Sequence, residues 1–188
     1  MQDDRFHILG IAGSLRRASY NRGLLRAAQE VTPEGVEIEI FDLNEIPPYN
    51  ADLDTETPPE AVRALRERIA SANALLFATP EYNTTMPGVL KNAVDWASRP
   101  FRSASLRFKP IGLMGASGGR FATVRSQADL RQVLTILACY VMPFPYVAAA
   151  NASELFDENG NLTDDGVRQQ VRGVVEALVS WSRRVQPD

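Results

Sequence analysis

The segment with the most chemical information runs from Gly13 to Asn21. It follows an apolar run at 6–12, typical of a buried strand, and leads into a helical pattern at 21–30. A loop that connects a strand to a helix start presents unpaired backbone N–H groups at the positive end of the helix dipole, which attracts anions. The short donors and the fixed charge that predict a phosphate site here are Ser14, Ser19, Asn21 and Arg16. A capped helix after a buried strand is the simpler alternative.

Two common phosphate motifs do not explain this loop. No Gly-Lys-Ser/Thr follows it, which excludes a Walker loop. The G-x-G-x-x-G spacing of a dinucleotide-binding loop is absent as well. We therefore expect the phosphate to be the phosphate end of a cofactor.

A second loop, from Thr79 to Gly88, combines an aromatic ring with polar side chains directly after an apolar run. Tyr82 offers a flat apolar face, Glu81 and Asn83 offer polar edges, and Pro80 stiffens the chain. Free backbone N–H groups near residues 81–83 would suit a planar heterocycle. The alternative is a turn whose aromatic ring closes the core, but loops at strand ends often carry binding residues.

A third loop, from Gly115 to Arg120, matches the G-x-S-x-G pattern of serine hydrolases around Ser117. In that fold the histidine follows the serine along the chain, whereas the single histidine here, His7, precedes it. The hydrolase interpretation is therefore rejected. Gly118 and Gly119 instead allow a backbone to approach a ligand closely.

The chain contains no conspicuous catalytic group. One histidine is too few for most catalytic zinc sites, and no pair of carboxylates stands out as an acid–base dyad. The sequence therefore predicts no catalytic acid or base and no metal site. Binding loops without a nucleophile are typical of an enzyme whose cofactor carries the chemistry.

Strand and helix patterns alternate five times along the chain. The strands are predicted at 6–12, 36–41, 74–79, 110–116 and 140–147, and the helices at 21–30, 59–71, 87–98, 121–138 and 163–185. Because the strands are mostly apolar throughout, we expect a parallel sheet covered on both faces, which is an α/β three-layer sandwich. Ligands bind such sheets outside the carboxyl ends of the strands, where the three loops lie.

Composition narrows the class of protein further. The 188 residues predict a single domain, 1–188, and a net charge of −3 argues against a general nucleic-acid or membrane-surface binder. No run approaches the length of a membrane span. Cys139 is the only cysteine and sits among apolar residues, so it is interpreted as a structural thiol. We expect a cytoplasmic protein.

Three motifs resemble the NADPH-dependent FMN reductase family, which includes bacterial quinone, chromate and azo-dye reductases. They are G-S-L-R-x-x-S-x-N at 13–21, P-E-Y-N-x-x-x-P-G-x-L-K-N-A-V-D-W at 80–96 and G-A-S-x-G at 115–119. The resemblance implies a flavodoxin-like fold with a five-stranded parallel sheet of order 2-1-3-4-5. It also implies FMN as the bound cofactor and NADPH, or NADH, as the electron donor.

The same resemblance implies how the loops divide the cofactor between them. The FMN phosphate would lie in the first loop, whose predicted cofactor-binding residues are Ser14, Leu15, Arg16, Ser19 and Asn21. The isoalloxazine ring would lie between the other two loops, at Pro80, Glu81, Tyr82, Asn83, Ser117, Gly118 and Gly119. Hydride would pass from NADPH to the flavin, and a quinone or similar small acceptor would then take the place of the nucleotide.

Relatives of this kind are dimers or tetramers, so the resemblance implies a homodimer or homotetramer. The helix after Pro87 and the loop around Tyr49 are the predicted contact surfaces. Lys91 and Asp95, one helical turn apart, would pair within a subunit or across two.

Two other functions fit the sequence. One is a flavodoxin-type electron carrier, although carriers are usually more acidic and have a threonine-rich phosphate loop. The other is a non-catalytic flavin-binding regulatory protein. Direct reduction by a nicotinamide nucleotide distinguishes the reductase from both.

Overall fold

A parallel β-sheet forms the centre of the molecule in the computed structural model, which describes residues 5–186. Its strands are β1 (Phe6–Ala12), β2 (Val36–Phe41), β3 (Ala74–Ala78), β4 (Pro110–Ala116), β5 (Tyr140–Val141) and β6 (Val147–Ala149). The strand order is β2-β1-β3-β4-β5, and β6 also pairs with β4. The predicted order 2-1-3-4-5 and the flavodoxin-like class are therefore confirmed.

Five α-helices cover both faces of this sheet within the described residues. They are α1 (Tyr20–Glu30), α2 (Glu60–Ser71), α3 (Gly88–Ala97), α4 (Val124–Ile136) and α5 (Asp165–Val185). None of these helices is long and apolar enough to cross a membrane.

Side chains alternate along the strands and so divide the core into two halves. In β1, Ile8 packs with α1 and α5 on one face, whereas Leu9 and Ile11 pack with α2, α3 and α4 on the other. In β3, Leu76 and Phe77 follow the same alternation. Because both faces are buried, the central strands β3 and β4 carry no polar side chain, as predicted for the three-layer sandwich, whereas the edge strand β2 includes Glu37 and Glu39.

The predicted strand at 140–147 is wrong in one respect, because two short strands replace it. β5 pairs with Pro110 and Ile111 near the start of β4, and β6 pairs with 114–116 at its end. The residues between them include Pro143 and Pro145, which have no N–H to donate to a strand ladder. The fifth position of the sheet is therefore interrupted.

The fourth helix is shorter than the predicted 121–138. Ala122 has φ of 51° and Ala138 has φ of 60°, and these left-handed conformations are incompatible with a continuous α-helix. Helix α4 therefore starts at Val124 and ends at Ile136.

Candidate functional site

The loops after β1, β3 and β4 meet at the carboxyl edge of the sheet and enclose a cavity of about 220 Å³. Its lining residues are Ser14, Arg16, Ser19, Tyr20, Asn21, Pro80, Glu81, Tyr82, Ala116, Ser117 and Gly118. Most of the predicted cofactor-binding residues thus share one cavity. Leu15, Asn83 and Gly119 lie on the same loops but outside this lining.

The first loop contributes two buried hydroxyl groups. Ser14 is 5% and Ser19 2% exposed. The Ser14 Oγ accepts a hydrogen bond from the Arg16 amide at 3.4 Å, and the Ser19 Oγ, as the N-cap of α1, accepts one from the Arg22 amide at 3.4 Å. Neither hydroxyl donates a hydrogen bond to any residue within 5–186, so both protons are available to an acceptor in the cavity.

Asn21 connects the first loop to the end of the sheet. Its Nδ2 donates to the Ala116 carbonyl at 2.9 Å, and its Oδ1 accepts from the Ala116 amide at 3.0 Å. With Asn21 only 2% exposed, this pair of bonds fixes the start of α1 against the end of β4. The side chain therefore positions two walls of the cavity.

Tyr20 is a cavity residue that the sequence interpretation missed, because only the short donors and the charge of this loop were singled out. The Arg16 guanidinium carbon lies 5.0 Å from the centre of its ring. The other neighbour of the ring is Phe156, with the two centres 5.0 Å apart. The one sequence signal that could have identified Tyr20 is its position next to Asn21 in the predicted phosphate loop.

The second loop makes a tight two-residue turn. The amide of Tyr82 donates to the carbonyl of Thr85 at 3.1 Å, and the reverse bond has the same length. Asn83 and Thr84 form the turn with φ of 49° and 70°. A β-branched residue rarely adopts a positive φ, so Thr84 marks local strain beside the cavity. The Tyr82 side chain is 52% exposed.

Glu81 lines the cavity, and its carboxylate is bonded to the start of α4. Its carboxylate accepts hydrogen bonds from the amides of Arg125 (3.1 Å) and Ser126 (3.3 Å) at the start of α4. The Arg125 Nε also donates to it at 2.7 Å. The carboxylate thus caps α4, where a negative charge is favourable, and the Glu81 side chain is only 6% exposed.

The third loop approaches the second at Gly115. A Cβ atom on Gly115 would lie 2.3 Å from the Thr79 carbonyl oxygen and from the Thr123 Oγ1, so only glycine fits. Ser117 continues the loop and is held by its amide, which donates to the Ala149 carbonyl at 3.0 Å. Ala116, which the sequence interpretation also missed, enters the lining because β4 ends there.

The hydrolase interpretation has no geometric support. His7 lies near the amino end of β1, with its Nε2 3.3 Å from Glu39, while Ser117 follows the carboxyl end of β4. His7 and Ser117 therefore lie at opposite edges of the sheet, which does not fit a hydrolase triad. Among the described residues no group of His, Cys, Asp and Glu could hold a metal ion.

Together, the fold and the cavity define a flavodoxin-like protein with a ligand site at the carboxyl edge of a parallel sheet. Residues 6–154 match the model of the NADPH-dependent FMN reductase family, and the chain belongs to this family.

Relatives cover nearly the whole chain. An NAD(P)H-dependent FMN reductase of Pseudomonas aeruginosa is 46% identical over 186 residues, which cover 99% of this chain and 100% of the relative. An NAD(P)H:quinone oxidoreductase of Solanum tuberosum is 41% identical and the match covers 95% and 94%. The solved structure of FerB, a flavoenzyme NAD(P)H:(acceptor) oxidoreductase from Paracoccus denitrificans, has a TM-score of 0.85 and 32% identity over 95% of this chain and 97% of its own.

These similarities confirm the predicted enzyme class. The chain is an FMN-dependent NAD(P)H oxidoreductase, with FMN as cofactor and NAD(P)H as electron donor. They favour the reductase over the electron carrier and the regulatory protein.

Proposed function

We propose that the three-loop cavity binds FMN and that this protein transfers electrons from NAD(P)H to quinones or similar small acceptors. The observation that carries the proposal is the convergence of the three predicted loops on one cavity. When bound, FMN supplies the redox chemistry by accepting a hydride and passing on its electrons. The chain itself has to bind the flavin, orient it and leave one face open.

The first loop fits the phosphate end of FMN. Ser14 and Ser19 each have a hydroxyl proton to donate, and Arg16 adds a positive charge. The amides of Tyr20 and Asn21 belong to the first turn of α1, where no helical carbonyl precedes them. Buried hydroxyls, a helix N-terminus and a guanidinium are the groups that bind a phosphate dianion.

The second and third loops fit the ring end. Pro80 and Tyr82 supply apolar surface, and Ser117 and Gly118 line the cavity from the third loop. Since the Glu81 carboxylate is committed to α4, the loop would meet the ring through its backbone rather than through a negative charge. The amides of Tyr82 and Ser117 already donate to the carbonyls of Thr85 and Ala149. Negative charge on a reduced ring would therefore be stabilised by other N–H groups of these loops, without a titrating side chain.

Donor and acceptor would use the same opening in turn. The cavity of about 220 Å³ is smaller than the 300–1,000 Å³ typical of a pocket for one small molecule, so FMN itself would reach its mouth and a second ligand would lie outside it. Quinones are the acceptors named for the potato relative, and an FMN reductase is named for the bacterial one. This likeness supports a quinone-type acceptor here.

We also propose that copies of the chain associate. Lys91 and Asp95 pair within the chain, with the Nζ 2.7 Å from one carboxylate oxygen. Exposed apolar side chains lie instead beside α4, where Ile136 is 70% and Phe144 77% exposed. A second copy covering these residues would make the expected homodimer or homotetramer, and light scattering on purified protein measures that mass. The cytoplasmic location stays a prediction.

The test of function is the visible spectrum of the FMN-reconstituted protein before and after anaerobic addition of NADPH. We expect flavin bands that bleach on addition and return when a quinone is added. Flavin bands that persist with both NADPH and NADH would contradict the reductase. Failure to retain any flavin after gel filtration would contradict the three-loop site.

A further inference from the structure

An aromatic ring flanked by two arginines lies between the third loop and the start of α4, next to residues that line the cavity. The guanidinium carbon of Arg120 lies 4.6 Å, and that of Arg125 5.0 Å, from the centre of the Phe121 ring. The Phe121 side chain is 54% exposed. Within residues 5–186, Arg120 forms no ion pair and has the ring as its only recorded partner.

The backbone holds this ring in a defined place. Ala122, the next residue, is 6% exposed and has φ of 51°, in the left-handed region. Its amide donates to the Gly119 carbonyl at 3.1 Å. An alanine kept in this conformation stores strain that the surrounding structure has to offset, and such strain concentrates at functional sites.

The cluster of Arg120, Phe121 and Arg125 touches both loops proposed for the ring end of FMN. Arg120 ends the third loop, two residues after Gly118, which lines the cavity. Arg125 is bonded to Glu81, which lines the cavity from the second loop. The two guanidinium groups therefore stand beside the ring end of the proposed flavin site, whereas Arg16 belongs to the phosphate end.

An electron donor of the nicotinamide class needs cations at this place. Its reactive ring has to reach the flavin, but its diphosphate and, in NADPH, its 2′-phosphate have to extend past the mouth of a cavity of about 220 Å³. Guanidinium groups bind phosphates through charge-assisted hydrogen bonds. A ring that holds them in place lowers the ordering cost of binding.

We propose that Arg120 and Arg125, held by Phe121, bind the phosphate groups of the nicotinamide nucleotide during flavin reduction. This assignment rests on the proposed function, because it takes the neighbouring cavity as the flavin site. Arg125 has the smaller share, since its Nε is already bonded to Glu81. Arg120 is thus the residue to test.

The experiment is calorimetric titration of FMN-loaded protein with NADP⁺ and, separately, with NAD⁺, neither of which can reduce the flavin. We expect Arg120→Ala to weaken NADP⁺ binding about tenfold, which is the effect of losing one charge-assisted contact. Loss with NADP⁺ alone identifies the 2′-phosphate as the partner, and equal loss with both nucleotides identifies the diphosphate. Phe121→Leu should weaken NADP⁺ binding less than Arg120→Ala does. Phe121→Tyr, which keeps an aromatic ring, should leave the NADP⁺ affinity at the wild-type value.

Arg107→Ala is the matched control. Arg107 also stacks on exposed aromatic rings, 4.9 Å from Phe108 and 5.9 Å from Phe101, but it precedes β4 at the opposite edge of the sheet. We expect its removal to leave both affinities unchanged. Equal weakening by both variants would show a general charge effect and overturn the proposal.

Two further outcomes overturn the proposal while leaving the proposed function intact. One is unchanged NADP⁺ affinity in an Arg120→Ala protein that still holds FMN and is bleached by NADPH. The other is a changed oligomer mass with unchanged nucleotide affinity, which would make the cluster a contact between copies. A wild-type protein that fails to bleach with NADPH contradicts the proposed function itself, and the cluster proposal with it.

Discussion

Asparagine side chains hold both edges of the sheet, but they do so differently. At the carboxyl edge, the buried Asn21 bonds to both the amide and the carbonyl of Ala116. At the amino edge, the exposed Asn73 accepts one bond from the His7 amide at 2.7 Å. Asn21 links α1 to the end of β4, which lies 95 residues further along the chain. Asn73 links the start of β3 to the start of the neighbouring strand β1.

Charged helix caps repeat this contrast. Glu81 caps the start of α4 from a loop that lines the cavity. Lys109 caps the end of α2 at the amino edge, where its Nζ donates to the carbonyls of Ala70 and Ala72. At one edge, therefore, side chains hold loops around an open space, and at the other they close the fold on itself. Stability is needed at both edges, but ligand binding should depend on the first alone.

The largest expected effect comes from removing the two asparagines separately. Asn21→Ala leaves the amide and carbonyl of Ala116 buried without partners, which should cost about 3 kcal/mol of unfolding free energy. It should also weaken FMN binding, because the cavity walls lose their link. Asn73→Ala should cost about 1 kcal/mol, since its partner amide can bond to water. Urea unfolding and fluorescence titration with FMN measure the two quantities.

A different result would break the comparison. If Asn73→Ala weakened FMN binding as much as Asn21→Ala, the two edges would be coupled through the strands. If Asn21→Ala destabilised the protein with normal FMN affinity, Asn21 would be a structural residue without influence on the cavity.

The second effect in size concerns the two caps. Glu81→Gln removes the charge at the start of α4 and should cost about 1–2 kcal/mol of unfolding free energy, because a capping charge near a helix N-terminus contributes that much. Lys109→Met should have a similar cost. Only Glu81→Gln should also weaken FMN binding, by about threefold to tenfold, because the ring-end loop loses its anchor. Equal FMN affinity in both variants would show that the loop holds its shape without the cap.

Much of the fold was predictable from the sequence. The strands at 6–12, 36–41 and 110–116 are confirmed to the residue. Buried parallel strands leave apolar runs, and the edge strand β2 was found by the alternation of Val36–Phe41. The start of α4 could not be predicted, because Ala122 gives no local sign that its φ is positive. The interruption in the fifth strand was signalled by its prolines, and the expectation of one continuous strand gave them too little weight.

The site was predictable as loops but not as side-chain directions. Gly13–Asn21 and the loop after β3 were found because glycine, serine and asparagine mark turns and caps. Glu81 lines the cavity, and the sequence did not reveal that its carboxylate is bonded to the start of α4. Its partner Arg125 lies 44 residues away, and no sequence pattern reports such a pairing. Whether each lining residue contacts FMN stays a prediction.

Removing the charge of Arg16 sharpens the comparison, because it should affect the ligand and not the fold. Arg16 is exposed and, within residues 5–186, its side chain stacks only on Tyr20, so Arg16→Ala should leave the unfolding free energy nearly unchanged. FMN binding should weaken about tenfold, the effect of one charge-assisted phosphate contact. Arg17→Ala, which removes an exposed neighbour outside the cavity lining, is the control. Unchanged FMN affinity in Arg16→Ala would remove Arg16 from the phosphate site.

The smallest expected effect is that of FMN on the chemical modification of Cys139 at the amino edge of the sheet. Cys139 lies just before β5, and its thiol donates to the Leu106 carbonyl at 3.3 Å. Burial raises the pKa of this thiol to about 12, so at pH 8 only about one thiol in ten thousand is ionised. Because the thiolate is the reactive form, iodoacetamide should modify the native protein far more slowly than the urea-unfolded protein. FMN should not change the native rate, and protection by FMN would show that the cavity and the amino edge respond to one another.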